Sequence, residues 1–246
     1  MSHRALNRVV VRLLHDADFA ARLAVDPDDA LGGVGLSADE RTWVAAVPSA
    51  AWRTDPDRPQ RVLAALGDEY SASASLAGAH ADRFFTSAHF HRAVQERGSL
   101  ALVFGAHLRD DADACVAALA ALEHAMACVR RAPRRPPRCA PDHLRLAPSA
   151  RVVRLPSGTS ALLAALRAKR RPPGIGPGDE TLLVERDATT QGLRIEALEP
   201  GLAALLHRAT EPVPRKDLDA VIRELGDDET EADAVIQGLI ADGILI

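Results

Sequence analysis

The sequence predicts an α+β fold, with an all-α helical bundle in the N-terminal half and a small antiparallel sheet in the C-terminal half. Three observations predict this class. Apolar residues of the first half recur at helical spacing, and two β-like runs joined by a turn lie in the second half. All eight aromatic residues precede residue 105, so the two halves have cores of different composition. A chain of 246 residues accommodates two such domains.

The N-terminal helices are predicted from one cap and several apolar stripes. Ser37 and Glu40 form a capping box, in which the hydroxyl and the carboxylate bond opposite backbone amides at a helix start. Helical spacing recurs in four segments, marked by Val9, Val10, Leu13 and Leu14; Phe19 and Leu23; Val62, Leu63 and Leu66; and Cys115, Val116, Leu119, Leu122, Met126 and Val129. We therefore expect a helical domain over residues 1–131.

The C-terminal half changes to strand-like spacing and then returns to helices. Residues 152–155 predict a short strand and residues 162–166 a helix, while residues 181–186 and 192–197 predict a hairpin. Three amphipathic segments follow, marked by Leu202, Leu205 and Leu206; Leu218, Val221, Ile222 and Leu225; and Val235, Ile236, Leu239 and Ile240. A hairpin followed by three short helices is the layout of a winged helix-turn-helix-like domain, which we place at residues 151–246.

Charge divides the chain into three blocks. Residues 1–129 carry 12 basic and 17 acidic side chains, residues 130–175 carry 12 and one, and residues 176–246 carry 6 and 16. The basic block is rich in proline and arginine, which indicates a connecting segment. We therefore expect residues 132–150 to be a linker between two acidic domains.

Composition argues against a secreted or membrane protein. The longest apolar runs are shorter than the roughly 18 residues that cross a bilayer, and the N-terminus lacks a signal-peptide pattern. Cys115, Cys128 and Cys139 are an odd number without CxxC spacing, so reduced thiols are expected. These observations predict a cytoplasmic protein without a membrane partner.

Candidate catalytic and metal-binding groups are sparse. His89 and His91 lie two residues apart, which on a helix directs the two rings to different sides. His124 and Cys128 have the right helical spacing to share an ion, but no second pair of ligands accompanies them. The sequence also lacks the hydrolase, zincin and phosphate-loop motifs. We therefore expect no catalytic residue, no metal ligand and no cofactor in this chain.

Winged domains often bind DNA, so a transcriptional regulator is an alternative function. A recognition helix needs Lys or Arg near phosphates, because phosphate contacts supply much of the affinity. Residues 226–243 contain six carboxylates and no Lys or Arg, and this domain has no aromatic residue that could stack on a base. Binding to nucleic acid is therefore not expected, although the basic residues 130–138 leave the alternative open.

Both halves of the chain contain stretches that resemble proteins of ribosomal peptide biosynthesis. Residues 181–246, with a hairpin, a Leu-Leu helix and a final Gly-Ile-Leu segment, resemble the leader-peptide recognition element and the small peptide chaperone of pyrroloquinoline quinone synthesis. Residues 13–47, 61–73 and 84–108 resemble the partner subunits of multinuclear non-heme iron-dependent oxidative enzymes, as in the methanobactin and thiaglutamate pathways. The loop KRRPPGIGPG departs from the compact recognition element and leaves the strand order of the sheet open.

The resemblance implies a non-catalytic partner protein. It would form a heterodimer with a companion iron-dependent oxidase, which would hold the iron, and would bind the leader of a precursor peptide whose cysteine or other residue is modified. An extended leader could add to the sheet along Leu193, Arg194, Ile195, Glu196 and Ala197, with Val235 and Leu239 lining the adjacent groove. Oxidase docking would use Phe84, Phe85, Phe90 and Arg92, although the simpler role of the three rings is to fill the helical core.

Overall fold

The structure is a computed structural model that describes residues 3–52, 55, 57–96, 98–111, 113–133, 139–140, 142–187, 190, 192–224 and 229–246. The chain divides into two compact units, residues 1–120 and residues 121–246. The division lies inside helix α11 (Ala114–Arg130), whereas the sequence pattern places the boundary just after this helix. Helices and a small antiparallel sheet are both present, which agrees with the predicted α+β composition.

Unit 1 is built from helices in the part of the chain that the structure describes. They are α1 (His3–His15), α2 (Ala17–Val25), α3 (Pro27–Ala30), α4 (Ala38–Ala46), α5 (Ser49–Trp52), α6 (Arg58–Glu69), α7 (Ser71–Ala77), α8 (Ala79–Asp82), a 3₁₀ turn (Arg83–Thr86), α9 (Ala88–Glu96), α10 (Leu100–Arg109) and the first part of α11. None of the described helices of the chain is long and apolar enough to cross a membrane.

The capping box predicted at the start of α4 is confirmed. The Glu40 N–H donates to Ser37 Oγ at 3.2 Å, and the Ser37 N–H donates to Glu40 Oε2 at 2.8 Å. Asp16 caps α2 in a related way, because its carboxylate accepts from the Phe19 N–H at 2.9 Å. Each such cap stabilises a helix by about 1 kcal/mol.

Unit 2 contains the second part of α11 and the sheets. Its elements are β1 (His143–Leu144), β2 (Ala150–Pro156), α12 (Thr159–Arg167), β3 (Asp179–Arg186), β4 (Leu193–Ala197), α13 (Pro200–Arg208), β5 (Val213–Pro214), α14 (Arg215–Glu224) and α15 (Glu229–Ala241). Strands β2, β3 and β4 form an antiparallel sheet in that order, while β1 pairs with β5. The predicted strand, hairpin and helices of this half are therefore all present.

The segment predicted as a linker, residues 132–150, contains β1. Leu146 in the same segment forms a bridge to Leu245 near the C-terminus, and its N–H donates to the Ala209 carbonyl. The arginines at 134, 135 and 138 lie outside the described residues. The described part after residue 142 is thus integrated into unit 2 by backbone hydrogen bonds.

The two faces of the three-stranded sheet have different surroundings. Ala150, Val152 and Leu183 share one face and belong to a core formed with α13, α14 and α15. Leu182 and Val184 point to the other face and are fully buried there. Arg186 on this second face donates to the carbonyls of Val129, Arg130 and Ala132 at 2.7, 3.0 and 3.3 Å, so the end of α11 lies against it.

Candidate functional site

Strand β4 lies at the edge of the sheet and pairs only with β3 among the described strands. Two backbone bonds establish the phase of this pairing: the Asp187 N–H donates to the Gly192 carbonyl at 3.0 Å, and the Leu198 N–H donates to the Thr181 carbonyl at 2.9 Å. In an antiparallel ladder, alternate residues bond to the neighbouring strand. Arg194 and Glu196 therefore bond to β3, while the backbone groups of Leu193, Ile195 and Ala197 point to the open edge.

The side chains of β4 alternate between the two faces. Leu193 and Ile195 are half-buried on the face that carries Val184, which is directly opposite Ile195 in the register. Arg194 and Glu196 are exposed on the other face, where α13–α15 form the core with the sheet. The open edge is thus flanked by an apolar row on one side and by charges on the other.

An ion-pair network holds the charged side of β4. The Arg194 guanidinium binds Glu185 of β3 and lies 3.6 Å from Glu196. The hydrogen bond and the charge of Glu185 raise the pKa of Arg194, and Glu196 and Asp242 act in the same direction. Asp242 directly follows α15. Because its charge acts on Arg194, the end of this helix lies close to β4.

The two residues predicted on the last helix differ in exposure. Leu239 is 8% exposed and belongs to the core of unit 2 with Ile236 and Ala232. Val235 is 37% exposed, one of the few large apolar side chains described at the surface. An ion pair between Arg215 and Asp233 joins α14 to α15. Of the two, only Val235 is available to a ligand in this conformation.

A cleft that the sequence analysis did not predict lies at the end of β4. It has a volume of about 400 Å³ and is lined partly by Arg154, Asp179, Ala197 and His207. Arg154 of β2 and Asp179 of β3 form an ion pair there at 2.6 Å. No sequence signal links these two residues, because their proximity depends on the register between β2 and β3.

The aromatic segment predicted as a docking surface fills the core of unit 1. Phe84, Phe85 and Phe90 are 0%, 4% and 1% exposed, and their ring centroids lie 5.1 to 5.5 Å apart. These three rings therefore fill the core of unit 1, and they are not accessible to a partner in this conformation. Arg92 is exposed and is the one residue of this set whose side chain is accessible.

The predicted pair His89 and His91 contact two different carboxylates. His89 Nε2 lies 2.7 Å from Asp110, whereas His91 faces Asp16 at 4.0 Å. His80 and His107 stack at 4.2 Å, and the Nε2 of each bonds the backbone carbonyl of the other. Among the described residues, no group of three or more His, Cys, Asp or Glu side chains is arranged to hold a metal ion.

No protein-family model matches the chain, and no curated protein is significantly similar to it. Its function is therefore inferred from the sequence motifs and from the geometry of the two units.

Proposed function

We propose that this chain is a non-catalytic partner protein that binds the leader of a ribosomally made precursor peptide. It presents that peptide to a companion multinuclear iron oxidase, which modifies a cysteine or another residue. In this proposal, residues 151–246 act as a winged-helix-like recognition domain, and the helical bundle of residues 1–131 docks on the oxidase. The iron belongs to the companion enzyme, and the two proteins form a heterodimer.

The open edge of β4 is the observation that carries the proposal. Leu193, Ile195 and Ala197 direct backbone groups away from β3, where an extended peptide can pair with them as a fourth strand. Side chains of such a peptide would alternate between the row formed by Leu193 and Ile195 and the side that carries Arg194. Backbone bonds would supply affinity, and these two sides would supply selectivity.

Charge favours a basic leader. Arg194 is already bound by Glu185, and Glu196 and Asp242 add carboxylates close enough to act on it. Residues 176–246, the segment that contains β4, carry 16 acidic and 6 basic side chains, so the charges carried by this segment attract cations at short range. We expect Lys or Arg close to the segment of the leader that pairs with β4.

Oxidase docking is assigned to the exposed surface near Arg92. Arg92 lies on α9, the helix that also carries the buried Phe90. A single charge reversal, Arg92→Glu, is expected to weaken the complex with the oxidase and to leave peptide binding unchanged. Co-purification of each component with the tagged variant measures both effects.

The decisive experiment compares two variants of Ile195 in the native host. Tagged wild-type chain, Ile195→Pro and Ile195→Val are purified gently, and their bound proteins, peptides and iron are measured. Proline removes the N–H that points to the open edge, while valine retains both this donor and a β-branched side chain. We expect the wild type and Ile195→Val to retain a precursor peptide and an iron-containing partner, and Ile195→Pro to lose the peptide alone.

Other results of this experiment contradict the proposal. Equal retention of the peptide by Ile195→Pro excludes strand addition at β4. An iron-free chain that binds duplex DNA, with affinity falling steeply as salt rises, identifies the transcriptional regulator instead.

A further inference from the structure

Unit 1 contains a cavity that the proposed peptide edge does not use. Its volume is about 300 Å³, which is at the lower end of the range for small-molecule sites. Its floor is apolar and includes Val9, Phe19 and Phe90, all of which are almost fully buried. Three basic side chains, Arg8, Arg12 and His91, share its wall. Such convergence of a few polar groups on an apolar floor is typical of a ligand site.

Arg12 is held in place before any ligand arrives. Its Nε donates to Asp16 Oδ2 at 3.1 Å, and its guanidinium carbon lies 4.0 Å above the centre of the Phe19 ring. Asp16 is itself fixed, because it also caps α2. A guanidinium positioned by an ion pair and an aromatic face needs little reorganisation to bind a carboxylate.

His91 contributes a polar atom without a partner. Its ring is hydrogen-bonded to the Phe85 backbone, while Nε2 is buried and has no hydrogen bond, with Asp16 4.0 Å away. Burial and the charge of Arg12 lower the pKa of His91, against the opposing effects of Asp16 and the Phe85 bond. The imidazole thus takes up a proton less readily than a solvent-exposed histidine, and an anion beside it would favour uptake of a proton at Nε2.

A glycine-containing segment also lines the cavity. It is formed by Gly33, Val34 and Gly35 between α3 and α4. A Cβ added at Gly35 meets no atom within 4 Å, and Gly35 does not need a positive φ, so a side chain there occupies open space without strain. A larger side chain at Gly35 therefore tests the site by filling space and leaves every charged group in place.

We propose that this cavity binds a carboxylate attached to an apolar body. The carboxylate would contact the Arg8, Arg12 and His91 wall, and the apolar body would lie against Val34 and Val94, the half-buried apolar residues of the lining. The same chemistry occurs in free organic acids and at the C-terminus of a peptide, and the two sources are distinguished by the probes below. The site lies in unit 1 and is independent of the β4 edge.

Calorimetry on the full chain tests the site with 3-phenylpropionate, its amide and acetate. We expect 3-phenylpropionate to bind at least about tenfold more tightly than the amide, which lacks the charge, and than acetate, which lacks the apolar body. Its affinity should also be higher at pH 6 than at pH 8, because binding favours protonated His91. Equal affinity for acid and amide overturns the proposal, as does absence of binding by the acid.

Three variants locate the binding. Arg8→Gln and Gly35→Leu should each weaken 3-phenylpropionate binding by about tenfold, one by removing a charge and the other by filling space. Arg22→Gln is the matched control, because this guanidinium lies 5.9 Å from the same Phe19 ring but does not line the cavity. Thermal melting confirms that each variant is folded. Unchanged affinity in both Arg8→Gln and Gly35→Leu places the ligand elsewhere and refutes the assignment.

N-acetylphenylalanine distinguishes the two sources of the carboxylate. Tighter binding of this compound than of 3-phenylpropionate supports a peptide C-terminus, and the reverse order supports a free organic acid. Failure of both probes refutes the site and leaves the β4 proposal untouched, because the two sites share no residue.

Discussion

Gly105 packs directly against Tyr70 in the aromatic core of unit 1. A Cβ at Gly105 would lie 2.4 Å from the Tyr70 hydroxyl oxygen, and Tyr70 is fully buried. The Tyr70 ring also makes an edge contact with Phe104, so it cannot move aside without disturbing a second ring. The absence of a side chain at Gly105 is thus a requirement of this core.

The Gly105→Ala variant should therefore destabilise the protein. We expect a loss of about 1–3 kcal/mol from overpacking, even though alanine favours helices by about 1 kcal/mol. Gly67→Ala in α6 is the matched control, because a Cβ there meets no atom within 4 Å. Urea denaturation should show opposite shifts for the two variants, and a stabilised Gly105→Ala protein would refute the close contact.

Arg186 is a second residue whose role depends on partners that are far away in the sequence. Its Nη2 donates to the carbonyls of Val129, Arg130 and Ala132 at the C-terminal end of α11, and the Val129 carbonyl also accepts from the Ala132 N–H. Arg186→Met should cost about 1 kcal/mol of stability, because these partly exposed carbonyls lose a charged donor. Substitution of the exposed Arg208 by methionine should change the free energy of unfolding by less than about 0.5 kcal/mol. Equal losses in the two variants would show that the three contacts contribute nothing.

At the scale of elements, strand β4 has two different edges. Its inner edge bonds to β3 through Arg194 and Glu196, and its outer edge carries the backbone groups of Leu193, Ile195 and Ala197. The charges on Arg194 and Glu196 also discourage uncontrolled pairing with other chains, as is common on edge strands. Such an edge selects a particular peptide when its side chains and its exposed backbone groups both contact that peptide.

Proline substitutions in the protein without a ligand should show how much each of these two edges contributes to stability. Ile195→Pro should leave the free energy of unfolding within about 1 kcal/mol of the wild type, because no bond to β3 is removed. Glu196→Pro should cost about 1–3 kcal/mol, because it removes a ladder donor. Guanidinium denaturation gives both values. A larger loss for Ile195→Pro than for Glu196→Pro would mean that the phase of the ladder is reversed.

Local signals explain which elements could be predicted from the sequence. The capping box at Ser37 and Glu40 and the strand-like runs on both sides of residue 187 depend on neighbours within a few residues. The strand order could not be predicted, because α12 and a proline-rich loop separate β2 from β3. The structure resolves it as β2, β3 and β4, with β4 at an edge.

Burial was harder to predict than secondary structure. Val235 and Leu239 are four residues apart on α15, yet one is exposed and the other belongs to the core. Helical spacing places both on similar faces, and only the position of the neighbouring elements separates them. For the same reason, the cleft beside Arg154 and Asp179 and the cavity beside Arg12 and His91 have no signal in the sequence.

At the scale of the whole molecule, a change of pH should alter the stability of the two units to different extents. Burial lowers the pKa of His15, His91 and His107 from the usual 6.5, and all three lie in unit 1. Below pH 6.5 the unfolded chain takes up protons first, so the folded state loses stability as the pH falls toward the lowered pKa values. Well above pH 6.5 these groups are neutral in both states and contribute no pH dependence.

Amide exchange at pH 7.5 and 5.5, corrected for the intrinsic rates, tests this difference. We expect opening of unit 1 to become easier at pH 5.5, with the largest change near α1, α9 and α10, which carry the three histidines. His107→Gln should reduce the change, whereas His207→Gln in unit 2 should not. Stability that is higher at pH 5.5 would contradict the direction of the pKa shifts.

The central claim is that the outer edge of β4 captures an extended peptide. The most direct measurement is amide exchange of β4 in the full chain, alone and with the peptide that co-purifies with it from the native host. In the free chain, the amides of Arg194 and Glu196 should exchange slowly and those of Leu193, Ile195 and Ala197 quickly. The peptide should slow these three amides, and protection that appears elsewhere while they still exchange quickly would contradict strand addition.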